Sequence, residues 1–263
     1  MQTEPRLIIA DADGTLINKG SIKSVPASLG KAIRALRRQG INFIIASGRP
    51  YSFLKELHHQ IISDSPKNPH EGLVYESGCY HIFANKNPVI AGGLTSVQLK
   101  ELDAYLSCTD LQGLVPLPDD IFETRRSFVT PTFAAEGNTD KMLLAKAYSI
   151  LAPQIAARFP YTHTVKSSDA FDIEAKRVSK ATALLPYLQE IGIKPVDCLV
   201  IGDSSNDFPM FDLVGKGGGI VAYVGTNQEQ KRKAKSFPRC FIPEEKGPLG
   251  TLQVLQEYFN HRL

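Results

Sequence analysis

The chain has 263 residues, enough for one large domain or two of unequal size, and 43% of them are hydrophobic, which supports an ordinary buried core. Thirty basic residues against 27 acidic ones leave a net charge of only +3, which argues against nucleic acid and anionic membranes as partners. The four cysteines form no CxxC pair, no apolar run approaches about 18 residues, and the first residues do not resemble a signal peptide, so we expect a cytoplasmic protein without a zinc site or membrane span.

The N-terminal part of the chain predicts two buried strands joined by a helix. The apolar run LIIA at 7–10 is typical of a strand in a parallel sheet, and INFII at 41–45 is a second strand of this kind. Between them, SVPASLGKAIRALRRQG at 24–40 has apolar residues at helical spacing and a glycine at its end. The short links predict a βαβ unit, whose parallel strands have their carboxyl ends at one edge of the sheet.

Beyond this unit the pattern changes and later returns. A helix at 51–62 and a strand with a hairpin-like passage at 72–93 follow first. The middle of the chain lacks strand–helix alternation and predicts helices near 94–107 and 139–157 and short β segments at 113–130 and 160–174. The alternation resumes with a helix from 180, strands at 198–201 and within 218–225, and a helix near 247–260. We therefore predict an α/β fold: a Rossmann-like, doubly wound parallel sheet core at 1–86 and 175–263, with an α+β domain inserted at 87–174.

Two polar clusters have ordinary interpretations. His58 and His59 are adjacent, so on a helix they diverge by about 100° and are expected at the surface rather than as joint metal ligands. The basic run KRKAK at 231–235 predicts a solvated helix face. Neither cluster indicates a binding site.

Two aspartates follow the first strand, with one alanine between them. Because side chains alternate in an extended chain, Asp11 and Asp13 project to the same side. Two carboxylates about 4 Å apart repel by about 4 kcal/mol at an effective dielectric of about 20, so this pair calls for a cation or a shared proton. An Asp-Gly turn that merely ends the strand, with both acids solvated, explains the segment equally well.

A second acidic cluster follows a second buried strand, in CLVIGDSSND at 198–207. Ligands of a doubly wound sheet bind outside the carboxyl ends of its strands, so Asp203 and Asp207 can meet Asp11 there. Helix capping would explain either Asp203 or Asp207, but not why two strand ends carry acids. An all-oxygen site favours a hard cation, and Mg²⁺ usually combines one or two carboxylates with water and a substrate phosphate. The cluster therefore indicates phosphoryl chemistry.

Four segments together resemble the motifs of the haloacid dehalogenase-like (HAD) superfamily. These are DADGTL at 11–16, IIASGRP at 44–50, the helix-opening Lys180 and GDSSND at 202–207. Their order, spacing and strand-end placement fit, and the long insertion resembles the α/β cap of the Cof-like sugar-phosphatase branch. The resemblance implies a Mg²⁺-dependent phosphatase of a small phosphorylated metabolite, with a sugar phosphate as the expected substrate and specificity in the cap.

The resemblance also implies the roles of four acidic residues. Asp11 is expected to attack phosphorus and form an aspartyl phosphate, and Asp13 to protonate the leaving alkoxide and then activate water. The Asp11 and Asp203 carboxylates and the backbone carbonyl of Asp13 would hold Mg²⁺. Asp207 is expected to act on the metal indirectly or through water.

Five further residues complete the expected site. Ser47 and Gly48 would bind a phosphoryl oxygen, helped by the amides that open the next helix. Lys180 would neutralise developing charge, with Lys176 as the alternative. Asn206 would orient the phosphate or Lys180, although a helix-capping role fits it equally well.

One departure and three alternatives accompany this interpretation. Cof-like proteins usually have Asn-Gly after the third strand, whereas this chain has Ser77 and Gly78, which leaves the substrate contact of that loop open. A phosphomutase or a synthase-associated phosphatase of the same superfamily would keep both aspartates of DADGTL. A catalytically idle binding or regulatory module would not need the whole set of motif residues. The sequence carries no signal for the oligomeric state.

Overall fold

The computed structural model describes residues 4–18, 25–49, 51–62, 71–83, 87, 89–109, 133–134, 138–166 and 170–263. The chain divides into two compact units: a core unit of Met1–Ala91 and Ser179–Leu263, and an inserted unit of Gly92–Val178. The sequence placed these boundaries at 86 and 175. Residues up to Ala91 belong to the core because they extend its sheet, and the amide of Ala91 donates to the Cys79 carbonyl at 2.7 Å.

The strands of the described residues, in chain order, are β1 (Leu7–Ala10), β2 (Asn42–Ala46), β3 (Gly72–Tyr75), β4 (Tyr80–Phe83), β5 (Val89–Ile90), β6 (Phe133–Ala134), β7 (Thr162–Lys166), β8 (Ala170–Ala175), β9 (Cys198–Gly202), β10 (Ile220–Tyr223) and β11 (Cys240–Phe241). The helices are α1 (Ala27–Arg38), α2 (Tyr51–Ile62), α3 (Ser96–Ser107), α4 (Asn138–Arg158), α5 (Lys180–Ile191), α6 (Phe208–Lys216), α7 (Gln228–Ala234) and α8 (Gly247–Phe259).

Eight of these strands form the core sheet, in the order β11-β10-β9-β1-β2-β3-β4-β5. The pairs from β11 to β3 are parallel, whereas β4 and β5 join the edge in antiparallel orientation. Chain order reverses at β1, which lies between β2 and β9, and this reversal is the switch point where doubly wound sheets bind ligands.

The register of β1 and β9 brings two strand ends to the same level. Leu7 pairs with Cys198 and Ala10 with Ile201, and every residue of both strands is buried. The amide of Asp11 continues the ladder by donating to the Ile201 carbonyl at 3.0 Å. The acids that follow β1 and β9 therefore leave the sheet side by side.

Helices cover the core sheet, as the apolar runs of its strands require. On one face, Leu7 and Ile9 of β1 share an apolar cluster with residues of α5 and α6. Ile8, which points the other way, is equally buried, and α1 contacts both α2 and α8. The predicted Rossmann-like α/β core is confirmed.

The inserted unit has a three-stranded antiparallel sheet in the order β6-β8-β7, together with α3 and α4. Both helices and β8 contribute to its buried apolar side chains, which include Leu102, Leu106, Ala147, Leu151, Ile155 and Ile173. This composition matches the α+β character predicted for the insertion, and the β segments predicted at 113–130 lie outside the described residues. Among the described residues, no helix combines the length and apolar composition needed to cross a membrane.

The surface prediction for the histidine pair is wrong for one of its members. His59 is exposed on α2, but the Nε2 atom of His58 is buried without a hydrogen-bond partner in the described part of the chain. Burial, assisted by the nearby charges of Arg37 and His59, lowers the pKa of His58 to about 4. The Arg37 that acts on His58 forms a buried ion pair with Glu71.

Candidate active site

A buried ion cluster lies where β1 ends. The Nζ atom of Lys180 is 2.6 Å from Oδ1 of Asp11 and 2.5 Å from Oδ1 of Asp207. The side chains of Lys180, Asp11 and Asp207 are 2%, 6% and 0% exposed. Lys180 is the first residue of α5, where the positive end of the helix dipole disfavours a cation, and the two carboxylates compensate for this. Lys176, the alternative from the sequence, is exposed, and its amide donates to Tyr161.

Burial and neighbouring charge set the protonation of this cluster. Burial raises the pKa of Asp11 well above its usual range; Lys180 opposes this shift, while Asp207 and Asp203 add to it. Burial alone would lower the pKa of Lys180, but the Asp11 and Asp207 carboxylates outweigh it and hold that pKa above its ordinary value. Lys180 is therefore a permanent cation beside Asp11.

Asp207 organises the loop that follows β9. Its Oδ2 atom accepts hydrogen bonds from the amides of Asp203 at 2.9 Å and Ser204 at 3.0 Å, while its Oδ1 faces Lys180. A Cβ at Gly202 would lie 2.4 Å from the Asp207 carboxyl carbon, so only glycine permits this approach. Both oxygens of Asp207 are thus engaged within the protein.

Three carboxylates converge at this edge of the sheet. Asp11, Asp203 and Asp207 each offer an oxygen, and these oxygens lie within 4.8 Å of one another. With Lys180 as the ammonium between two of them, the three carboxylates carry more negative charge than this one cation neutralises. An oxygen-only donor set with excess negative charge fits a hard divalent cation such as Mg²⁺.

Asp13 forms an ion pair that the sequence did not predict. Arg49 donates from Nε to Oδ2 of Asp13 at 2.8 Å and from Nη2 to Oδ1 at 3.0 Å. Gly14 turns the chain directly after Asp13 with φ +77, and a Cβ there would lie 2.3 Å from Oδ2 of Asp203. Arg49 belongs to the IIASGRP segment, but nothing in the sequence alone indicates that its guanidinium meets residue 13.

Two residues expected to bind phosphate, Ser47 and Gly48, follow β2 and lie close to the loop after β3. Ser47 is 2% exposed, and its hydroxyl accepts a hydrogen bond from the Arg49 amide at 3.3 Å. Its carbonyl accepts from the amide of Ser77 at 3.1 Å. A Cβ at Gly48 would lie 3.2 Å from the Ser77 hydroxyl oxygen, so the loops after β2 and β3 are in close contact.

The loop after β3 also reaches the start of α5. Ser77 has φ 56 and ψ 18, the left-handed conformation that disfavours residues other than glycine, asparagine and aspartate. A Cβ at Gly78 would lie 1.8 Å from the carbonyl oxygen of Ser179, the residue before Lys180. Ser77 and Gly78 therefore link Ser47 to the helix that carries Lys180.

Asn206 lies at the surface of the loop after β9, and a hydrogen bond joins its side chain to Ser204 rather than to Lys180. It is exposed, and its Oδ1 accepts a hydrogen bond from the Ser204 hydroxyl at 2.7 Å. The hydrogen bonds of Lys180 go to Asp11 and Asp207 instead. Contact of Asn206 with a bound phosphate remains a prediction.

Comparisons with known proteins agree with this arrangement. The family model of haloacid dehalogenase-like hydrolases matches residues 8–127 and 119–222. Phosphoglycolate phosphatase 1 of Saccharolobus solfataricus is 26% identical over 219 residues, which cover 80% of each chain. A phosphoglycolate phosphatase of Methanospirillum hungatei is 23% identical over 261 residues, 98% of both chains.

Two solved structures have the same fold. The sucrose-phosphatase of Synechocystis, solved with sucrose and phosphate, aligns with a TM-score of 0.67 at 15% identity and covers 97% of this chain and 98% of its own. A Thermotoga maritima protein aligns with a TM-score of 0.71 at 14% identity, covering 96% and 97%. The chain therefore belongs to the haloacid dehalogenase-like hydrolases that its four motifs indicated, in the Cof-like branch that its insertion indicated, and it is a phosphatase.

Proposed function

We propose that this phosphatase hydrolyses a small phosphorylated metabolite through an aspartyl phosphate on Asp11, with Mg²⁺ as cofactor. The observation that carries the proposal is the buried carboxylate of Asp11, which lies 2.6 Å from the Lys180 ammonium and beside two further carboxylates. A phosphate dianion is repelled by such a cluster unless cations neutralise it. Lys180 supplies one positive charge, and a divalent ion would supply the rest.

Asp11 and Asp203 would hold the metal with their carboxylates, and Asp13 with its backbone carbonyl. Bound there, Mg²⁺ would screen the charge of the phosphate from that of Asp11. Asp207 would act indirectly, because its oxygens already bind Lys180 and the amides of Asp203 and Ser204. In this way Asp207 would keep the loop that follows β9 and the Lys180 ammonium in place.

In the first step, a carboxylate oxygen of Asp11 forms a bond to phosphorus, and the bond from phosphorus to the leaving oxygen breaks. The leaving oxygen keeps the bonding electron pair and takes a proton from Asp13. In the second step, Asp13 takes a proton from water, the water oxygen attacks phosphorus, and Asp11 leaves as a carboxylate. Ser47 would donate its hydroxyl hydrogen to a phosphoryl oxygen, and Lys180 would offset the charge that develops.

Two substrate classes are the leading candidates. A sugar phosphate is the expected substrate of the Cof-like branch, and one structural neighbour is a sucrose-phosphatase. 2-Phosphoglycolate is the second candidate because several relatives carry the name phosphoglycolate phosphatase. The non-reacting part of either substrate would be recognised by the inserted unit, which we propose acts as the cap, and by the loop at Ser77.

A phosphate-release panel tests the proposal. Sugar phosphates, 2-phosphoglycolate and p-nitrophenyl phosphate are each incubated with enzyme that has been treated with a chelator, before and after Mg²⁺ is added. We expect release only with Mg²⁺, and weaker recovery with Ca²⁺, which prefers more ligands at longer distances. Full activity after exhaustive metal removal would contradict the metal proposal, and transfer of phosphate between positions of a sugar without release would identify a phosphomutase.

A further inference from the structure

Arg49 has no role in the proposed chemistry, yet it forms a two-point ion pair at the site. Its Nε and Nη2 atoms donate to both carboxylate oxygens of Asp13, at 2.8 and 3.0 Å. Its guanidinium carbon lies 4.8 Å from the centroid of the Phe53 ring, one turn further along the chain on α2. Its own amide donates to the Ser47 hydroxyl. Arg49 is therefore anchored on the β2–α2 side of the site, while its guanidinium binds the Asp13 side chain in the loop that follows β1.

Two hydrogen-bond donors in one plane restrict the orientation of their partner carboxylate as well as stabilising its charge. Two parallel hydrogen bonds from a planar guanidinium define the plane and the direction of a carboxylate, whereas a lysine ammonium would act as a point charge. The backbone around Asp13 is already fixed, because Gly14 donates to the Ile17 carbonyl at 2.8 Å and Leu16 to that of Ala12 at 2.9 Å. This backbone does not fix the rotation of the Asp13 side chain, and the ion pair with Arg49 restricts that rotation.

We propose that Arg49 is the positioning residue of Asp13: it sets the direction in which the Asp13 carboxyl group meets the leaving oxygen, and it does not bind the transferred phosphoryl group. This inference rests on the proposed role of Asp13 as proton donor. The pairing supports it in two ways. The guanidinium donates to both carboxylate oxygens of Asp13, and the buried ammonium next to Asp11 belongs to Lys180. Arg49 and Asp13 are instead partly exposed, at 26% and 22%.

The test compares two leaving groups in two variants. Arg49→Gln removes the charge, and Arg49→Lys keeps the charge but removes the planar pair of donors. Because a poor leaving group needs the proton and a good one does not, we expect the first step, measured as rapid release of the leaving group, to slow by about 10- to 100-fold in both variants for the best alkyl phosphate of the panel, and by less than about 3-fold for p-nitrophenyl phosphate. KM should change little for either ester. Arg38→Gln, at the exposed end of α1, is the matched control and should change neither constant.

Two results would overturn the inference. One is an equal loss for both esters together with a raised KM, which is the pattern of a phosphate-binding arginine. The other is a loss in the Asp13→Asn background as large as that in the wild type, because a residue that acts through Asp13 has nothing to position there.

Crystal structures of the wild type and Arg49→Gln separate this inference from the proposed function. If the wild type releases phosphate from no ester, the proposed function fails, and the structures still decide the role of Arg49. An Asp13 carboxylate that turns away in the variant supports positioning. An Asp13 carboxylate in the wild-type direction contradicts it.

Discussion

Two carboxylate–cation groups lie at the same edge of the core sheet and differ in their exposure to water. The inner group, Asp11 with Lys180 and Asp207, is at most 6% exposed, whereas the outer pair of Asp13 and Arg49 is 22% and 26% exposed. A buried charge is not stabilised by water and relies on its partner, so removing one partner of a buried pair is costly. A partly exposed pair is screened and can be remade at little cost. The inner group suits a fixed nucleophile, and the outer pair suits a side chain that exchanges protons with solvent.

The largest effect is expected from Asp11→Asn in the inner group. This change removes the proposed nucleophile but keeps its shape, and Asp207 still pairs with Lys180, so the protein should fold. We expect kcat to fall by about 10⁴-fold or more. Phosphate release and far-UV circular dichroism on one preparation measure both properties. Substantial turnover by folded, wild-type-free protein would rule out covalent catalysis by Asp11.

Asp13→Asn tests the outer pair. Loss of the proton donor should lower kcat for alkyl phosphates by about 10²- to 10⁴-fold, and the first step with aryl phosphates by less, since a phenolate leaves without a proton. Rapid measurement of leaving-group release isolates that first step. If alkyl and aryl esters lose rate equally, Asp13 is not the acid, and the functional contrast between the two groups disappears.

Lys180→Met tests the structural side of the comparison. Without the ammonium, three neighbouring carboxylates lack their cation, so we expect the free energy of unfolding at pH 7 to fall by about 3–5 kcal/mol. Lys216→Met is the matched control: Lys216 is 73% exposed in an i,i+4 pair with Asp212, and its loss should cost less than about 0.5 kcal/mol. Urea unfolding in metal-free buffer measures both. Equal costs would mean that burial does not distinguish the inner group.

The smallest effect concerns another contrast between a more buried and a more exposed group, that of His58 and His59 on α2. The pKa of about 4 at His58 means that the unfolded chain, but not the folded one, takes up a proton there below about pH 6.5. Stability is therefore lost as the pH falls, by about 1–2 kcal/mol between pH 7 and pH 5 after allowance for partial exposure.

His58→Gln should remove this part of the pH dependence, and His59→Gln, at the exposed neighbouring position, should keep it. Urea unfolding of both variants at the two pH values gives four free energies of unfolding, and hence one pH difference for each variant. An undiminished pH dependence in His58→Gln would show that other groups cause it.

The periodicity of the sequence was sufficient to predict the strands and helices of the core unit. Buried strands that end in acids, with helices between them, require parallel strands, and parallel strands bring their carboxyl ends to one edge. For this reason Asp11 and Asp203, which are far apart in the chain, could be expected to meet before any coordinates were known. The end of the hairpin was less predictable, because β5 is only two residues long and pairs with β4 at the edge of the sheet.

Which cation meets which carboxylate was decided by the tertiary structure. The sequence contains 30 basic residues, and no local pattern selects Arg49 as the partner of Asp13 or shows that Lys180 lies between Asp11 and Asp207. Likewise, the adjacent His58 and His59 look alike in sequence, although His58 is half-buried near Arg37 and His59 is exposed. Helix and strand periods fix which face a residue lies on, because they depend on neighbouring residues. Ion pairs and burial depend on how distant segments pack, and distances of about 3 Å between them exist only once the sheet has assembled.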